Sequence, residues 1–195
     1  MPWLFLAYPL LSHIATYVRS ERLACLAMTV FVAVPLLPAL RRGRFWAWGT
    51  LAAVAAFFYG CSLLGAARLL MYLPPVLLPA SVLFIFARSL KPGNTPVVTQ
   101  VATHIRGTLP TELVSYTRRV TQFWVALLAT LALSSIGLAL WATPEVWSLA
   151  TNGIQYLVLA AAFLGEYLLR RYRFRELEHE SFAAMVAALF KTRVV

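Results

Sequence analysis

Glu166 is the carboxylate in this chain most suited to chemistry. It lies in an apolar stretch, four residues before Arg170, so one helix face carries both and the two can pair. It is about 6 Å inside the end of that stretch, a depth at which an interfacial salt bridge is tolerated. Arg118 and Arg119 are the other available cations. Structural pairing is the favoured reading. Catalysis or proton coupling, with Glu166 and His104 as acid–base groups, is the alternative. His13 interrupts a different apolar run, where a polar group is costly and marks either function or a hydrogen bond to another helix. No second His or carboxylate is spaced to make a metal site with it, so the hydrogen bond is favoured. Gln155 reads the same way. The proline-rich segment 73–79 offers a functional reading, a cavity lined by His13, Pro74 and Pro79. It also offers a plainer one, a packing kink, because each internal proline removes a backbone donor. The kink is favoured.

Other chemistries are missing from the sequence. The acidic side is seven Glu with no Asp, so there is no aspartate pair to hold magnesium and a diphosphate. A His followed four residues later by Asp, as glycerolipid acyltransferases use, is likewise missing. No glycine-rich phosphate loop, nucleophile elbow or Cys-x-x-Cys is present. Cys25 and Cys61 form no metal motif and read as two buried free thiols, with a disulfide as the lesser alternative. No metal and no cofactor is expected.

The elements that must position these residues are helices in lipid. The 195 residues are 61% hydrophobic and 12% charged. A soluble domain is roughly half apolar and a quarter charged. Six apolar runs can be drawn, at 2–18, 23–40, 45–64, 69–87, 123–141 and 146–169, each of a length to cross the hydrocarbon core as helix. Strands are excluded because a lone strand leaves its backbone unpaired in lipid, and no period-2 alternation suggests a barrel. The first run has no basic residues before it and no clear cleavage site, so it reads as a span and not a removable signal peptide. Small residues at spacing four (Gly49 with Ala53, Ala52 with Ala56, Ala161 with Gly165) suggest that spans three and six are buried packing elements.

The connections are tight except for 88–122. That segment opens with Lys91-Pro92-Gly93-Asn94, then predicts a short helix near 97–105 and a second starting at Thr108, with Pro110 in its first turn. The second can run directly into span five. The expected organisation is a six-helix membrane domain over 1–170 and a tail over 171–195. In that tail Phe182, Met185, Val186, Leu189 and Phe190 repeat at helical spacing, as in an amphipathic helix.

Charge orients the spans. Of the seventeen Lys and Arg, fourteen fall on one side of this arrangement and only Arg19, Arg22 and Arg68 on the other. The basic side is the cytoplasmic one, which places both termini in the cytoplasm. The net charge of +10 does not point to nucleic acid, because the arginines sit at the ends of apolar runs instead of forming one stripe.

Two segments carry more than membrane composition. LPTELVSYTRRVTQFW at 109–124 is one; FLGEYLLRR at 163–171, followed by EHESF at 178–182, is the other. Together they resemble a family of uncharacterised polytopic inner-membrane proteins encoded in gene clusters for aryl polyene pigments of the xanthomonadin type. The resemblance is best over about 92–182 and rests mainly on hydrophobicity and spacing before that. It implies a Gram-negative inner membrane and work alongside fatty-acid-synthase-like enzymes whose chains ride on acyl carrier proteins. It implies a pathway and not a reaction.

Carrier proteins are acidic, and the connection is basic, with Arg106, Arg118 and Arg119 near Tyr116 and His104 in sequence. Complementary charge would speed docking. Ordinary positive-inside topology and attraction to anionic lipid explain the same charge without a partner. The leading expectation is a non-enzymatic membrane component that gathers acidic carrier and pathway enzymes. Its binding residues would be Arg106, Tyr116, Arg118, Arg119, Glu166 and Arg170. The alternatives are a transporter or lipid-handling protein and a membrane-bound transferase acting on the polyene chain.

Overall fold

Local signals set most helix boundaries. Ser20 is extended, and its Oγ accepts from the Leu23 amide at 3.3 Å, capping the helix that begins at Glu21. Thr143 accepts from the Val146 amide at 3.4 Å, with Pro144 in the first turn behind it. Gly65, at φ +68°, supplies the left-handed turn after the third helix.

The computed structural model describes residues 6–174, and among these every regular element is a helix. In chain order they are α1 (Ala7–Val18), α2 (Glu21–Arg41), α3 (Phe45–Leu63), α4 (Ala67–Leu70), α5 (Pro74–Ser89), α6 (Val97–Arg106), α7 (Thr111–Trp141), α8 (Pro144–Leu149) and α9 (Gln155–Arg173). A π-helical turn, Ala150–Ile154, joins α8 to α9. Five stretches are long and apolar enough to cross a membrane: α2, α3, α4 with α5, α7, and α8 through α9. Large apolar side chains on them, including Phe57, Leu77, Phe84, Leu133 and Leu157, are exposed. Water disfavours such a surface and lipid tolerates it, so the chain is membrane-embedded. The run at 2–18 is helical over Ala7–Val18, twelve residues. The amphipathic tail expected beyond Arg173 lies outside the described residues.

Several expectations shift. The run at 69–87 is not one continuous helix: it breaks at 71–73, between α4 and α5. Pro75 has no N–H to offer the Met71 carbonyl four residues back. Tyr8 supplies one instead, its hydroxyl donating to Met71 O at 3.2 Å in a buried position. The helix expected from Thr108 does run directly into the span at 123–141, as the single helix α7. It begins at Thr111, where the Pro110 carbonyl accepts from Leu113 at 2.9 Å and Val114 at 3.1 Å. The small-residue stripes do not mark buried helices. Gly49, Ala52, Ala53, Ala56, Ala161 and Gly165 are exposed. A Cβ at Gly49 or Gly165 would meet nothing within 4 Å. In lipid a small-residue face carries no penalty for exposure, so the spacing alone does not bury a helix.

The chain divides into two compact units, residues 1–77 with 133–156 and residues 78–132 with 157–195. In the first, α1 and α2 meet through Ala15, Ala24 and Ala27, all fully buried, around Tyr8, Met28, Phe58, Met71 and Trp147. In the second, Leu113, Tyr116, Val120 and Trp124 line one face of α7 at helical spacing, with Phe86, Val98, Leu109 and Phe163 packed on them.

Candidate functional site

In the second unit the sequence-selected residues do converge. Glu166 on α9 is part-buried, with 12% of its side chain exposed, and its Oε1 lies 3.5 Å from Arg170 Nε. The Tyr116 hydroxyl on α7 donates toward the same oxygen at 3.5 Å. Tyr116 also meets Phe174 edge-on, at 5.2 Å between ring centroids. The carboxylate thus has a cation one turn ahead and a phenol from a neighbouring helix. That arrangement holds α7 and α9 together near their charged ends.

The connection beside them is folded by hydroxyl groups. Ser89 at the end of α5 accepts from the Val97 amide at 3.1 Å, which starts α6. Thr121 accepts from the Val98 amide at 3.3 Å. Thr99 and Thr117 share a buried hydrogen bond of 2.7 Å. Three of the first amides and hydroxyls of α6 are thereby satisfied by α5 and α7, the requirement for a helix start that does not face water. Around this core Arg88, Lys91, His104, Arg118 and Arg119 are exposed. Arg118 also donates to the Leu90 carbonyl at 3.4 Å, so part of its role is to hold the chain after α5. Arg106 is the last residue of α6.

The first unit holds a second polar group, which the sequence reading found only in part. His13 Nδ1 pairs with Ser148 Oγ at 3.0 Å, the interhelical bond favoured for it. Asn152 donates to Ser12 Oγ at 3.2 Å and Ser148 Oγ at 3.1 Å. Gln155 donates to Ser135 Oγ at 2.9 Å and Ser134 Oγ at 3.3 Å. Asn152 Oδ1 and Trp147 Nε1 are buried with no partner. The π-helical turn passes through this group, and such turns recur at functional sites. The signal that could have exposed Ser12, Thr16, Ser148 and Asn152 is their spacing: each pair is four residues apart, on one face, inside an apolar run.

A cavity of about 260 Å³ opens beside this group, lined by Thr16, Arg19, Arg68, Met71, Tyr72 and Trp147 among others. His13 and Pro74 do not line it, and Pro79 falls in the other unit. Pro74 is buried at the start of α5, and the break there is a packing kink closed by Tyr8. Cys25 and Cys61 are free thiols. Among the described residues no three His, Cys, Asp or Glu side chains group as a metal site. No protein-family model, no curated protein and no solved structure matches this chain.

Proposed function

We propose that this protein is a non-enzymatic component of a bacterial inner membrane that gathers acidic cytoplasmic partners at the bilayer. The partners are acyl carrier protein and associated enzymes of aryl polyene synthesis. The observation that carries the docking role is the pinned connection. Ser89, Thr117 and Thr121 fix α6 against α5 and α7, so Arg88, Lys91, Arg118 and Arg119 stand on an ordered surface and not on a slack loop. An acidic partner meeting fixed charges loses less conformational freedom than one that must order them. The pigment pathway rests on the resemblance of 109–124, 163–171 and 178–182 alone.

The same reading places six spans in the membrane with both termini in the cytoplasm. Its support is the fourteen-to-three division of Lys and Arg and the way two of the three outlying arginines are held. Arg19 pairs with Glu145 at 3.3 Å, and Arg68 pairs with Glu21. Those contacts tie the α1–α2, α3–α4 and α7–α8 turns to one another, as expected if all three turns share one face.

The test is co-purification with the pathway's carrier protein in mild detergent. Arg119→Glu with Lys91→Glu should abolish retention, while Arg118→Gln, which removes one charge and a backbone contact, should weaken it. Undiminished retention by the charge-reversed protein would sink the docking surface.

A further inference from the structure

The first unit contains a built cavity that the docking role does not use. Its volume is about 260 Å³. The walls are Leu69, Met71, Tyr72 and Trp147, and the rings of Tyr72 and Trp147 lie 4.3 Å apart between centroids. Two cations, Arg19 and Arg68, also line it. Arg19 ends α1 in the left-handed conformation, φ 53° and ψ 38°, with its N–H bonded to the Thr16 carbonyl at 3.3 Å, and so stands at the cavity wall by closing the helix. Its side chain is 74% exposed and engages Glu145 through a single long contact. A pair that open to solvent contributes little, so its guanidinium can turn to a better acceptor.

Trp147 supplies the second line of argument. It is 1% exposed, yet its indole N–H has no partner. A buried donor left unpaired costs about 1–3 kcal/mol, and such a group needs an explanation. It belongs to a wall of a cavity that also carries two arginines.

We propose that this cavity binds the head of a single-chain amphiphile bearing a carboxylate or phosphate. Arg19 and Arg68 would hold the oxyanion, which suits a guanidinium's paired donors. Leu69, Met71, Tyr72 and Trp147 would cover the first methylenes of the chain. A free inorganic anion would leave those four walls unfilled, and a neutral chain would gain nothing from the two arginines. The proposal is independent of the docking role: it concerns other residues, and its test contains no carrier protein.

The experiment uses the full chain in phosphatidylcholine nanodiscs with radiolabelled palmitate. Saturable binding is expected. Lysophosphatidic acid should compete, which would show that either oxyanion head is accepted. Inorganic phosphate and dodecyltrimethylammonium should not compete. Arg19→Gln with Arg68→Gln should weaken binding about tenfold or more, while Arg22→Gln, exposed but outside the cavity, should leave it unchanged. Because Arg68 also holds Glu21, a filling variant serves as a second arm. Leu69 is 67% exposed, so Leu69→Trp should block the cavity in a folded protein. No saturable palmitate binding, equal competition by the cationic chain or by inorganic phosphate, or full binding by Leu69→Trp would overturn the proposal.

Discussion

Tyr116 and Glu166, fifty positions apart, bring a phenol hydroxyl and a carboxylate to 3.5 Å on the oxygen that also faces Arg170 at 3.5 Å. Both contacts lie at the long end of the hydrogen-bond range, so the group is a brace between α7 and α9 and not a tight proton relay. Glu166→Gln should therefore cost only about 1 kcal/mol of stability, measured by thermal unfolding in detergent. In the proposed pathway, pigment output should be unaltered. A folded Glu166→Gln protein that halts the pathway would assign the carboxylate a chemical role and revive the transferase reading.

Thr99 and Thr117 carry the fixing of α6, and their 2.7 Å bond is buried. Thr117→Val alone leaves the Thr99 hydroxyl without its partner and should cost about 1–3 kcal/mol. Thr99→Val should cost less, because Thr117 still donates to the Val114 carbonyl at 2.9 Å. The double replacement removes both polar groups at nearly constant shape, so it should recover much of the loss. Hydrogen exchange over 97–106 is the readout. Additive losses in the double variant would show that the two hydroxyls act separately.

Tyr8→Phe removes the donor that serves the Met71 carbonyl at the break before Pro74 and Pro75. The ring and its packing against Phe31, 5.0 Å away between centroids, remain. The expected result is a loss of about 1–3 kcal/mol and faster exchange of amides in α4, with little change in α6. Unchanged exchange in α4 would mean that another group serves that carbonyl.

The sequence revealed those features that depend on composition and short spacing. The apolar lengths found α2 and α3 to within two residues, and the i, i+4 spacing found Glu166 with Arg170. His13 as an interhelical hydrogen-bond partner followed from the cost of a polar ring in lipid. What escaped depends on partners far along the chain. Whether Pro74 and Pro75 bend a helix or break it is decided by Tyr8, sixty-three residues before Met71. The outward orientation of Gly49 and Ala53 is decided by which face of α3 meets α2, and small residues give no preference between lipid and protein. The cavity joins residues from the end of α1, from α4 and from α8, and no local pattern brings Arg19, Arg68 and Trp147 together.

Topology is the prediction on which the rest depends, and cysteine labelling decides it. Cys25 and Cys61 are free and half-buried, so alanine at both should leave a folded, thiol-free background. Into it go Arg22→Cys, Arg42→Cys and Lys91→Cys, each at an exposed position in or beside a helix-connecting turn. A membrane-impermeant maleimide added to intact spheroplasts should label only the first. The other two should react after permeabilisation. Charge drives this expectation: Arg22 belongs to the side with three basic residues, whereas Arg42 and Lys91 belong to the side with fourteen, which is costly to translocate. Labelling of Arg42→Cys and Lys91→Cys from opposite sides would remove a span between them. Labelling of Arg42→Cys and Lys91→Cys from outside, with Arg22→Cys protected, would reverse the chain and place the arginines of the docking surface where no carrier protein could reach them.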